Sequence, residues 1–133
     1  MRTVFADSFY FFALGNERDQ AHARAAAFNR SFDGKLVTTG WILTELGDGW
    51  ARPVNRSAFL ATVDFLRADP DVSIMPCSDQ LLSAGIALFR SRPDQEWPLT
   101  DCISFVVMQQ EGITEALTGD HHFEQAGFVA LLK

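Results

Sequence analysis

Thr3-Val4-Phe5-Ala6-Asp7-Ser8-Phe9-Tyr10-Phe11-Phe12-Ala13-Leu14 opens with a short apolar run, stops at an acid and a serine, and resumes as a second, longer apolar run. The first run, Thr3 to Ala6, has the length of a strand, and Ser8 to Leu14 reads as a brief helix. Strand then helix is the opening unit of an α/β fold. Outward from it the alternation continues. Asp19 to Arg30 is Ala-rich and helical in composition, Asp33-Gly34 marks a turn, Leu36 to Thr38 is a short strand, and Gly40 to about Trp50 is a helix. Phe59, Leu60, Val63 and Leu66 recur at helical spacing within Asn55 to Ala68, which Asp69-Pro70 ends.

Val72 to Met75 gives a third strand, and Ser78 caps a helix through about Arg90. Pro93 to Pro98 is a loop, Asp101 opens a helix that Gly112 closes, and strands near Glu115 to Leu117 and Phe128 to Leu132 follow. Strands alternating with helices through short loops imply a mostly parallel sheet of about five short strands, covered by helices on both faces.

A length of 133 residues suits one domain that buries roughly two-thirds of its unfolded surface. With 47% hydrophobic residues and twelve Phe, a packed core is expected rather than disorder. Seventeen acids against eleven bases give a net charge of −6, which argues against a plain DNA-binding module held by a broad cationic face. If RNA is bound, divalent metal must offset the acids, and Arg52, Arg56, Arg90 and Arg92 are the local cations expected to meet phosphates. Cys77 and Cys102, far apart in apolar company, read as two reduced core thiols. Met1 to Ser8 has neither the apolar length of a signal peptide nor that of a membrane span, so a cytoplasmic location is expected.

In an open parallel sheet, ligands collect beyond the carboxyl ends of the strands where strand order reverses. Asp7 closes the first strand, and Asp120 follows the fourth after Thr118-Gly119, so one sheet edge can hold both; Asp101, at a helix start, can join them. Each also suits helix capping, and three separate caps would need no metal. Glu45 is harder to place that way. Its helical neighbours Trp41, Ile42 and Gly49 are largely apolar, and a carboxylate turned inward there needs a partner. Four converging carboxylates would repel unless a hard cation sat among them, the usual setting for magnesium or manganese. His121-His122 reads as a surface pair, because adjacent residues of a turn point to different sides. Phe9 to Phe12 place more aromatic surface than one helix face can bury, and the surplus suggests a homodimer or partner contact.

The run Pro98-Leu99-Thr100-Asp101-Cys102-Ile103-Ser104-Phe105, then Gly112-Ile113, Ala116-Leu117-Thr118 and Asp120-His121-His122-Phe123-Glu124-Gln125-Ala126-Gly127-Phe128, resembles the C-terminal half of PIN-domain toxins. These are the VapC-like ribonucleases of toxin-antitoxin pairs. Val4-Phe5-Ala6-Asp7-Ser8 and Thr44-Glu45-Leu46 are similar to the family's other two acidic motifs, in the same order, so the resemblance covers nearly the whole chain as one PIN-like domain, residues 1–133. It implies a three-layer α/β/α sandwich. It further implies Asp7, Glu45, Asp101 and Asp120 as metal-site acids, with Ser8, Ser104 and Thr118 as polar support. The implied activity is magnesium- or manganese-dependent cleavage of single-stranded or looped RNA to 3′-hydroxyl and 5′-phosphate ends, silenced by an antitoxin protein. Some members carry a further acid where this chain has His122, which leaves the number of metal ions and the role of Asp120 open.

Two other readings compete. A phosphohydrolase or phosphate-accepting receiver domain also places Asp at strand ends, but it wants a paired acid after the first strand and a Lys near the last; Asp7-Ser8 lacks the pair, and Lys35 and Lys133 lie elsewhere. A degenerate PIN domain that binds RNA or protein without cutting it would have no reason to keep all four acids.

Overall fold

Each strand of the alternation feeds a helix whose start or end carries its own local signal. A computed structural model of the chain describes residues 1–133. In order, the elements are β1 (Thr3–Ala6), α1 (Ser8–Gly15), α2 (His22–Ser31), β2 (Lys35–Thr39), α3 (Gly40–Gly49), α4 (Pro53–Ala68), β3 (Val72–Met75), α5 (Asp79–Ser91), α6 (Leu99–Glu111), β4 (Glu115–Leu117), α7 (His121–Gln125) and β5 (Val129–Ala130). Side-chain oxygens of Thr39 and Ser78 accept from the backbone N–H of Ile42 and Leu81, capping α3 and α5. Pro53 occupies the first turn of α4, where no amide donor is needed. Gly112 ends α6 in the left-handed region at φ 66°, which lets Ile113 N–H reach back to the Met108 carbonyl.

The differences from expectation have local causes. The second helix starts at His22 rather than Asp19, because the Asp19 carboxylate accepts from Ala21 N–H and holds a turn there. The sixth starts at Leu99, which leaves Asp101 in its first turn rather than at its cap. The last strand is only Val129–Ala130, although Leu131 and Leu132 N–H still bond the Ala116 and Thr118 carbonyls.

The five strands form one sheet in the order β3-β2-β1-β4-β5, and every pairing is parallel. Right-handed crossovers carry α1 to α4 over one face and α5 to α7 over the other. The principal helix packing keeps to those two groups, α1 with α2 and α3, α3 with α4, α5 with α6, and α6 with α7. The result is the expected α/β/α sandwich, with a sheet that is wholly parallel. Its central strand β1 is covered on both faces, so Val4, Phe5 and Ala6 have no solvent exposure. On the α6 side the Phe123 ring lies between those of Phe5 and Phe105, with centroids 6.4 Å and 4.9 Å away, the latter contact edge-on.

The aromatic run on α1 is packed in part within the chain, with Phe9 and Phe12 left half-buried. Tyr10 and Phe11 are buried, Phe12 packs edge-on against Trp50 at 5.7 Å, and Phe9 lies against Gly119, where an added Cβ would come within 2.6 Å of the ring. The smallness of Gly119 lets this ring close over the chain just before Asp120. β1 and β4 are neighbours, yet the chain leaves β1 toward β2 on the other side, so the strand order reverses between them.

Candidate functional site

The reversal puts the ends of β1 and β4 side by side, and with them Asp7 and the segment Thr118 to Asp120. Asp7 is buried, 5% exposed, and its Oδ2 accepts from the Thr118 hydroxyl at 2.8 Å. The Thr118 oxygen in turn accepts from Asp120 N–H at 3.1 Å, so one hydroxyl ties both acids to β4. Thr38, fully buried on β2, donates to the Ala6 carbonyl at 2.9 Å and fixes the end of β1 from the other side. Glu45, half-buried on α3, accepts from the Ser8 hydroxyl at 3.1 Å; this is the partner its apolar stripe demanded. Asp101 enters from the first turn of α6 and is 6% exposed.

The four acids feel one another. Burial pushes the Asp7 carboxyl up to about 7, and the charges of Asp101 and, less strongly, Glu45 add to this against the Thr118 hydrogen bond. Burial likewise lifts Asp101 to about 6, opposed by its bond to His122 and reinforced by Asp120 and Glu45. Glu45 is raised by burial, with the exposed Asp48 adding to the effect. No Lys or Arg pairs with any of the four. Asp7 and Asp101, buried, and Glu45, half-buried, raise one another's proton affinity with no Lys or Arg to offset them, and such a set of oxygen donors fits a hard divalent ion. Ser104, one turn beyond Asp101, is fully buried with its hydroxyl unpartnered, a further oxygen on the same helix.

Capping accounts for one acid only. Asp7 and Asp101 make no cap hydrogen bond, whereas Asp120 Oδ1 accepts from His122 N–H at 2.9 Å and does cap α7. The turn that was to turn His121 and His122 outward instead turns His122 in. Its Nδ1 lies 3.0 Å from Asp101 Oδ2 and 3.3 Å from Asp120 Oδ1, with the side chain 16% exposed. Sequence reasoning missed this residue; the signal was Phe123, whose complete burial fixes α7 and therefore which way its neighbour points. Two of the expected cations are otherwise engaged. Arg92 forms a two-pronged pair with Asp94 and lies over the Trp97 ring, and Arg56 donates to the Ala51 carbonyl. Both cysteines are free, but Cys77 is exposed rather than in the core; Cys102 is buried, and burial pushes its thiol up.

No family profile matches the chain. It is 28% identical over 130 residues to the 23S rRNA-specific endonuclease VapC20 of Mycobacterium tuberculosis, in two strains, covering 95% of each chain. The crystal structure of that VapC20, a Sarcin-Ricin loop cleaving toxin, superposes with a TM-score of 0.85 at 26% identity, over 95% of this chain and 96% of that one. Over nearly its whole length the chain resembles the VapC-like PIN-domain toxins. More distant structures share the VapC-like fold alone: VapBC2 of Rickettsia felis bound to a DNA fragment from its promoter has a TM-score of 0.67 at 10% identity, covering 96% of each chain. FitAcB of Neisseria gonorrhoeae has a TM-score of 0.66 at 16% identity, over 96% of this chain and 94% of that one.

Proposed function

We propose that this VapC-like PIN-domain protein is a divalent-metal-dependent endoribonuclease and the toxin of a toxin-antitoxin pair, acting in the cytoplasm as one PIN-like domain over residues 1–133. What supports the reading is a set of four carboxylates, Asp7, Glu45, Asp101 and Asp120, drawn toward the strand-order reversal with no Lys or Arg paired to them. Likeness to VapC20, an endonuclease of 23S rRNA, supports an RNA substrate presented as a loop.

In this reading the four acids hold the cation, and when bound, magnesium or manganese supplies Lewis-acid activation of water and offsets charge at the phosphodiester. The chain's own side chains set the geometry. Thr118 holds Asp7 through a hydrogen bond to one of its two oxygens, and Ser8 does the same for Glu45. Ser104 is the remaining polar support. Burial of Asp7 and Asp101 excludes bulk water and strengthens every charge interaction there. No side-chain nucleophile is required. The RNA is positioned by groups outside the acids, and the antitoxin and a second copy of the chain are the proposed protein partners.

Purified protein is expected to cleave RNA with magnesium or manganese and to stop in chelator. Asp7→Asn and Asp101→Asn are each expected to lose activity by about a hundredfold or more while the circular-dichroism spectrum stays folded. Retained cleavage by either variant in chelator would reject the mechanism. The degenerate-domain reading would gain if calorimetry found no divalent binding that depends on Asp7 and Asp101. The receiver reading has no lysine to use, since Lys133 pairs with Glu124 and Lys35 lies at the opposite end of its strand from the site.

A further inference from the structure

One side of the acid cluster is not built of oxygen alone. His122 Nδ1 stands 3.0 Å from Asp101 Oδ2 and 3.3 Å from Asp120 Oδ1, and His121 Nδ1 stands 3.5 Å from that same Asp120 oxygen. Ligand atoms of Asp120, His121 and His122 all lie within 4.8 Å of one another. Adjacent ligands of an octahedral ion with bonds of about 2.1 Å are separated by about 3.0 Å, and His122 Nδ1 already stands near that spacing from one oxygen of Asp101 and one of Asp120. The capping bond from Asp120 to His122 N–H and the buried Phe123 hold the His122 backbone, so the ring meets the acids from a fixed base.

We propose that His122, with Asp101 and Asp120, forms a mixed nitrogen and oxygen cation subsite that selects a first-row transition ion over magnesium, with His121 near enough to supply a second nitrogen. Imidazole is a poor ligand for magnesium and suits the first-row divalent metals increasingly along the series, with manganese the weakest of them and iron, nickel and zinc stronger. His122 Nδ1, which stands against Asp101 in the ion-free protein, would offer its lone pair to a bound ion with the ring proton carried on Nε2. His122 then sets which ion is held, while Asp7 and Glu45 face the ion from the oxygen side. The subsite rests on the metal-dependent reading above.

The test uses full-length chelator-treated protein with manganese or magnesium as the only ligand. Pulsed electron paramagnetic resonance of the manganese-loaded protein is expected to show coupling to a directly bound nitrogen-14. That coupling should vanish in His122→Asn and in His122→Asp. Calorimetry is expected to give a manganese-over-magnesium preference that falls by about tenfold or more in His122→Asn, whereas His122→Asp, which puts oxygen in place of nitrogen, keeps magnesium binding and so shows that the fold survives. Asp7-dependent magnesium binding without nitrogen coupling to manganese would overturn this subsite and leave the proposed function standing. Absence of binding by either ion would overturn both.

Discussion

Thr118 shows how much a single side chain can carry. Its hydroxyl is fully buried, donates to Asp7 and accepts from Asp120 N–H, so removing it strands a carboxylate oxygen and an amide at once. Thr118→Val keeps the shape and loses both bonds. It is expected to cost about 1.5–3 kcal/mol in the denaturant midpoint, with Thr118→Ser recovering most of it; an unchanged midpoint would mean that water replaces the hydroxyl. Thr118 and Ser8 were legible as support only through the Thr-x-Asp and Asp-Ser motifs. Their partners were not, because a hydroxyl's choice of acceptor depends on which strand lies beside it. His122 is the converse case, a residue set aside as surface that the packing of its neighbour Phe123 turned inward.

At the scale of elements, the pair that decides the position of Asp101 is α5 against α6. Gly85 and Ile103 are their closest point: a Cβ at Gly85 would lie 2.4 Å from Ile103 Cγ1. Gly85→Ala is therefore expected to destabilise by about 1–3 kcal/mol, and adding Ile103→Ala to it should cost less than the sum of the two single changes, a coupling read by a double-mutant cycle. Additive effects would show that the helices do not meet there. α7 is the other hinge of the site. Phe123→Ala empties a fully buried position between Phe5 and Phe105, and a loss of about 3–5 kcal/mol is expected. The element pattern itself was readable because apolar runs and caps are local: α1, α3, β3 and β4 fall within a residue of their expected limits. α2 moved because a local side-chain turn at Asp19 holds the chain until His22, and β5 because it pairs with only Glu115 and Ala116 of β4.

Across the whole molecule, the buried acids tie stability to pH. Asp7 near 7 and Asp101 near 6 hold their protons longer in the fold than in the unfolded chain, where an aspartate titrates at about 3.9. For such raised groups the stabilising effect is complete below about pH 4 and is lost as pH rises through about 6 to 7. Metal-free protein is thus expected to melt at lower temperature at pH 8 than at pH 5. Added magnesium or manganese should raise the melting temperature more at pH 8, where the acids are charged. Scanning calorimetry at the two pH values, with and without chelator, checks both signs; a metal-free melting temperature that climbs between pH 5 and 8 would contradict the burial of these groups. Asp94 and Glu115, lowered by Arg92 and Arg2, act in the opposite sense below that window and do not mask it.

The sequence by itself determined the alternation of strands and helices, the carboxylates worth watching and the family they resemble, because apolar period, caps and short motifs are written in neighbouring residues. Tertiary structure alone decided that β1 and β4 lie side by side, that Thr118 serves two acids, that His122 faces them and that Cys77 faces solvent. Those outcomes depend on strand order and on how Phe5, Phe105 and Phe123 pack across the core, which couple residues about a hundred positions apart and leave no local trace in the chain.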